Sequence, residues 1–425
     1  METYGKILLI AMPIFLGLVL LEKLYGVIRG RDTVRNMDMV SSLSSGVTNV
    51  TKDVLGLSIA IISYKWMVDH LAIVHIPGGI LTYIVAFLAL DFAGYWVHRI
   101  AHEYNFFWNN HIIHHSSEEF NLACALRQSI SVFFRIFAFL LLPAALLGVP
   151  EIVIAVVAPL HLFAQFWYHT QHIKKMGFLE YIIVTPSHHR VHHAINPIYL
   201  DKNYSQIFIF WDKLFGTFQE ELPDVKPVYG ITRAVQTWNP IRINFQHMVL
   251  LIKDAWRTNS RKDKFRIWIM PTGWRPADVA EKYPVKKIED PYNFEKYDPR
   301  ASNALHVWVW VQLLVILGFV SYFFGNIASV GTPLMFYYGG FIFLSVYALT
   351  DLMDRSPYAF FWEIGKNGFG YYLLLRTGDW FGAGNFGNYI VPVIQGYFIL
   401  STLVTIYFVL KHYQEDHSAL PQAAH

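Results

Sequence analysis

Apolar residues run through this chain in blocks long enough to cross a bilayer. A hydrocarbon core of about 30 Å needs about 20 helical residues. The blocks predict membrane-spanning helices near 5–28, 54–75, 79–98, 130–148, 151–172, 304–324, 333–351 and 388–410. The first is read as a span, not a cleaved leader, because no small-residue cleavage site follows it. Between 219 and 300 the pattern breaks into polar, proline-punctuated sequence. There Lys253 to Arg266 is basic and interleaved with Trp256 and Phe265, as suits a surface lying against anionic headgroups. The segment 357–380 carries Glu363, Lys366, Arg376 and Asp379, which make it a poor lipid-facing span and point to an interfacial position. The tail from Gln414 to His425 is expected to be disordered.

Composition agrees with the pattern. Of 425 residues, 54% are hydrophobic and 15% charged, whereas soluble domains carry about 25% charged residues. A net charge of +3 gives no nucleic-acid signal. One cysteine, Cys124, excludes internal disulfides and thiolate metal sites. Arg29, Arg31 and Arg35 follow the first block, and Lys174 and Lys175 follow the fifth; the turn His75–Gly79 has no Lys or Arg. By the positive-inside tendency these ends face the cytoplasm. That means the inner membrane in a bacterium and the endoplasmic reticulum in a eukaryote. Four regions are expected: an N-terminal transmembrane region at 1–78, a catalytic domain at 79–218, a cytoplasmic linker at 219–300 and a C-terminal transmembrane region at 301–425.

Histidine supplies the chemistry. The chain has 19, and most of those between His98 and His193 sit in three boxes: His98/His102, His111/His114/His115 and His189/His192/His193. Helical residues four apart share a face, so His98 and His102 can hold one ion. Adjacent histidines point about 100° apart and can serve two ions. Eight imidazoles are enough for a dinuclear centre, though imidazole suits Fe, Zn, Cu and Ni alike. The fold expected is therefore an all-α, polytopic membrane helical bundle with a histidine-rich di-metal cap on its cytoplasmic face.

Other residues surround the boxes. His169, near the end of the fifth block, is the expected ninth ligand. His172 and His188 are weaker candidates, and His161 reads as a hydrogen-bonded core residue. Asp91 lies seven residues before His98, on the same helix face. A carboxylate at membrane depth needs a partner, so Asp91 is expected to accept from a ligand histidine or pair with an arginine. Arg127 and Asn121 are candidates to hold a headgroup or reductant, and Arg99 and Arg190 to pair with Asp91, Glu118 or Asp201. Phe106, Phe107 and Trp108 either line a lipid entry or anchor at the interface.

These boxes resemble those of the fatty acid hydroxylase / sterol desaturase superfamily. The runs His114-His-Ser-Ser-Glu-Glu-Phe-Asn-Leu122, Ala125-Leu-Arg-Gln-Ser129, Thr185-Pro-Ser-His-His-Arg-Val-His-His193 and Trp211-Asp-Lys-Leu-Phe-Gly-Thr-Phe218 are similar to its alkylglycerol monooxygenase branch. The resemblance is dense over about 85–218. It implies two iron ions, O2 as co-substrate, a tetrahydrobiopterin reductant, and a membrane lipid substrate hydroxylated next to an ether oxygen. It also implies that Glu103, directly after His102, matters for activity, as a catalytic or pterin-binding residue. Box spacing alone leaves open a sterol, sphingolipid, fatty-acid or carotenoid hydroxylase or desaturase. Metal transport and haem binding fit less well, since the boxes sit at the ends of the blocks.

Overall fold

The computed structural model describes residues 2–76 and 78–418. Nearly all of its regular structure is helical; the one sheet among the described residues is a parallel pair, Ile59–Ala60 against Phe134–Arg135. Among the described residues, five helices are long and apolar enough to cross a membrane: Tyr4–Ile28, Ile80–Glu103, Asn303–Gly325, Leu334–Met353 and Ile390–Ser418. The protein is thus a multi-pass membrane protein.

Three expected spans are not single crossing helices. Over 54–75 the chain gives a short strand and then the eight-residue helix Tyr64–Leu71. Ser63 caps that helix, accepting from the Trp66 N–H, and the Lys65–Asp69 pair lies on it. The fourth block shortens to Phe137–Leu146 and the fifth to Glu151–Phe163. Thirteen residues rise about 20 Å, well short of the hydrocarbon thickness. Pro159 lies inside the last of these and the helix stops before Ala164, so 164–172 is free to loop back. These short helices pack on the flank of Ile80–Glu103 around Ala86, Ala89, Ala144, Val153 and Val157.

Sequence reading also missed a central helix. Asn36–Val54 looks polar, with Ser41, Ser42, Ser44, Ser45, Thr48 and Thr51, yet all of these are buried. It packs against the Asn303–Gly325 and Leu334–Met353 spans, because small residues let helices approach closely in a membrane bundle. The expected interfacial segment is the helix Ala359–Thr377, packed against both of its neighbours. Glu363 and Lys366 turn inward, while Arg376 stays exposed: Lys366 donates to Glu363 at 2.6 Å, and Asn367 to the Phe398 carbonyl at 2.9 Å. The last span continues to Ser418, overrunning the expected start of the tail; 419–425 lie outside the described residues.

A cap of short helices and loops carries the remaining box histidines and His169 to the end of Ile80–Glu103, where His98 and His102 lie. Its fit to Ile80–Glu103 is close. A Cβ on Gly94 would stand 2.0 Å from Oε1 of Gln206, so a larger residue there has to push the Gln206 side chain aside.

Candidate metal centre

Each box inherits its aim from a local element. His98 and His102 lie one turn apart at the end of Ile80–Glu103. His114 and His115 end the single turn Ile112–His115, with His111 just before it. The helix Pro186–His192 begins with Pro186 at a position where proline is tolerated and with a Thr185/His188 capping box, which orients His189 and His192. His169 comes from the loop after the shortened fifth helix.

The nine histidines converge as two groups. His98, His102, His111, His115 and His192 form one; His114, His169, His189 and His193 form the other. Within each group the donor nitrogens all lie within 4.8 Å of one another. Both adjacent pairs divide between the groups: the His114 and His115 rings stand at 84°, and those of His192 and His193 at 89°. A pair of neighbours in sequence thus feeds two centres, as the helical angle requires.

Proton bookkeeping tests whether an ion fits. Nδ1 of His98 lies 2.7 Å from the Tyr204 carbonyl, that of His192 2.9 Å from Lys202, that of His169 3.0 Å from Gln165 and that of His114 3.3 Å from Arg127. A carbonyl only accepts, so each Nδ1 carries the proton and each neutral Nε2 is bare. Yet Nε2 of His114 and Nε2 of His169 face each other at 3.4 Å. Nε2 of His192 is buried with no hydrogen-bond partner. Two bare lone pairs face to face repel unless a cation lies between them. Neighbouring nitrogens about 2.1 Å from one ion stand about 3 Å apart at right angles, and the Nε2 contacts fall at 2.8–3.1 Å for His169–His189, His189–His193, His193–His114 and His98–His111. The donor set fits two metal ions.

Burial and the crowding of imidazoles hold His111, His114, His115, His189, His192 and His193 well below the ordinary histidine value, and burial brings His169 to about 4. Neutral imidazole is the form that binds metal. The sign for stability follows. Folded-state values lie below the unfolded 6.5, so the unfolded chain takes up protons first as pH falls. In metal-free protein this stability is complete above about pH 6.5 and is lost progressively towards about pH 4. Thermal unfolding of chelator-treated protein at stepped pH should show the decline; a flat profile across that window contradicts it.

The walls are aromatic. Tyr204 lies against His98, His102 and His192; Phe120 against His169, His189 and His193; Trp108 against His102. The Tyr204 loop is set by buried Asp212, which accepts from the N–H groups of Tyr204 and Ser205 and from the Thr217 hydroxyl.

Several predicted residues sit elsewhere than expected. Asp91 touches no box histidine and no arginine. It accepts from His161 Nε2, the Ile207 and Phe208 N–H groups and the Trp211 indole, at 2.9–3.1 Å. It therefore ties the loop beyond Tyr204 to the membrane helix. Arg127 is not free to meet a headgroup: it donates to Asp38, Ser42 and Ser116 while its carbonyl faces His114. Asn121 holds the Thr33 carbonyl and its own turn. Arg99 pairs with Glu103 and Arg190 with Glu221, not with the carboxylates expected. Glu103 is part-exposed at the rim. His188 caps its helix and His172 meets Thr33, both outside the groups. Among supports the sequence reading missed, Glu22 had a signal, a carboxylate inside an apolar block. It accepts from the Thr170 hydroxyl and the Leu122 N–H, each at 2.6 Å, fastening both histidine loops to the first span.

The fatty acid hydroxylase family model matches residues 83–217, the segment carrying all nine histidines. Alkylglycerol monooxygenase of Homo sapiens is 35% identical over 356 residues, covering 82% of this chain and 78% of its own. The chain belongs to the alkylglycerol monooxygenase family. The family member of Danio rerio is 36% identical, covering 72% of this chain and 68% of its own. Ornithine lipid hydroxylase of Rhizobium tropici is 30% identical over 36% of this chain and 46% of its own. No solved structure matches. Membership makes the protein an O2-dependent membrane oxidoreductase with a histidine-rich, iron-type metal site.

Proposed function

We propose that this protein hydroxylates the carbon next to the ether oxygen of an alkylglycerol. One oxygen atom of O2 enters that C–H bond; the other leaves as water with two electrons and two protons from the reductant. The resulting hemiacetal breaks its C–O bond to give a fatty aldehyde and a glycerol. The observation that carries the reading is the pair of histidine groups within a chain of this family. Two iron ions held by those groups would supply O2 activation and hydrogen abstraction, with a tetrahydrobiopterin-type reductant supplying electrons.

The chain's own residues prepare that step. Backbone carbonyls at Tyr204, Lys202, Gln165 and Arg127 fix the imidazoles, so little reorganisation is needed. Phe120, Tyr204 and Trp108 exclude water from the reacting carbon. Glu103, at the rim and paired with Arg99, is our choice for the residue that holds the reductant. We place the groups on the cytoplasmic side, supported by Lys174 and Lys175 soon after His169 in sequence and by Arg29 and Arg31 at the end of the first span.

Membranes expressing the chain should release fatty aldehyde from a 1-O-alkylglycerol in a tetrahydrobiopterin-dependent manner. A His192→Ala chain should release none. No aldehyde from iron-loaded membranes would reject this substrate.

A further inference from the structure

The helix Pro240–Arg257 is inverted. Its inner face buries polar Asn244, His247 and Asp254 beside Ile243 and Leu251. Each polar group is held: Asn244 accepts from the Ile130 N–H, His247 meets the Asn105 carbonyl, and Asp254 binds Arg275. The outer face presents Val249, Ile252 and Lys253, and then Trp256, which is 86% exposed. The next helix, Arg261–Arg266, continues the stripe with exposed Arg261 and Lys262, Phe265 at 79% and, just beyond, Ile269 at 69%. A helix facing water shows the opposite arrangement.

Charge completes the pattern. From 253 to 266 there are six cations, Lys253, Arg257, Arg261, Lys262, Lys264 and Arg266, against two anions, Asp254 and Asp263. Both anions are spent, on Arg275 and Arg266. The depth of the stripe is set by a knot at the end of Ile80–Glu103. Asn105 N–H donates to the Met270 carbonyl, Phe106 N–H to Trp268 and Thr272 N–H to Glu103, each at 3.0 Å. The Asn105 side chain binds Ile267, Trp274 and Gly273. The exposed aromatics are thus fastened where a membrane span ends, beside His102.

We propose that residues 249–269 form an in-plane anchor that seats Trp256, Phe265 and Ile269 among the headgroups of an anionic leaflet. Aromatic and aliphatic side chains enter the headgroup boundary while Lys253, Arg261 and Lys262 meet lipid phosphates. The anchor stands apart from the proposed chemistry.

Cys124 is the chain's one cysteine and is buried, so a cysteine at exposed Phe265 takes a label alone. The metal-loaded Phe265→Cys chain, carrying a nitrobenzoxadiazole dye, is reconstituted in vesicles of phosphatidylcholine, with or without phosphatidylglycerol. Blue-shifted emission and quenching by headgroup-depth doxyl lipid are expected with phosphatidylglycerol, and weaker ones without it. An added Arg261→Glu/Lys262→Glu change should erase that difference. A water-like dye in both membranes, or equal depth in both, overturns the proposal. A shift that tracks protein concentration in detergent also overturns it, and assigns the face to a second copy of the chain.

Discussion

A His193→Ala protein should lose activity by a factor on the order of 100 or more and retain about half the iron. Loss of an outer partner of a ligand already costs about 10–100-fold, and His193 sits inside its group, its Nε2 3.1 Å from that of His114 and 3.0 Å from that of His189. Its neighbour His192 belongs to the other group, so one site should survive and the other empty. His172→Ala is the control: it removes an imidazole that meets Thr33 outside both groups and caps no ligand helix. Iron content by emission spectrometry and aldehyde release decide the matter. Full iron and activity in His193→Ala, or equal losses in the two variants, would remove the two-group assignment.

Asp38→Ala should strongly destabilise the join between the helix Asn36–Val54 and the cap. Asp38 and Arg127 form an ion pair at 2.7 Å, with side chains 2% and 1% exposed. Ser117 donates to Asp38, and Ser42 and Ser116 take the other guanidinium donors. Removing one partner of such a pair leaves an uncompensated buried charge and costs about 3–5 kcal/mol. Because the Arg127 carbonyl faces His114 and Ser116 follows His115, metal affinity should fall too. The Asp38→Asn/Arg127→Met protein, which removes both charges, should recover much of the stability. Thermal unfolding in detergent tests both; an Asp38→Ala chain that melts with the unaltered protein sinks the assignment.

What the sequence made legible was what is local. The spacing of His98 and His102 and the adjacency of His114 with His115 and of His192 with His193 carry their own geometry, so both sharing and division between groups follow from helical angles. What it hid is non-local. Asp91 announces a need for a partner, but nothing nearby says that the partners are His161 and a loop 116 residues away. Arg127 looks free until Asp38 arrives from a helix that hydropathy passes over as polar. Apolar content over 130–172 matches a hairpin, yet a window average is blind to Pro159 and to a chain that turns at Ala164.

Glu22 adds a matter of timing. Its partner Thr170 lies 148 residues further along the chain. At about 5–20 residues per second of synthesis, the first helix precedes that partner by on the order of ten seconds. Until Leu122 is made neither of its two native partners exists, and anything that slows the ribosome before residue 170 delays the second of the two bonds.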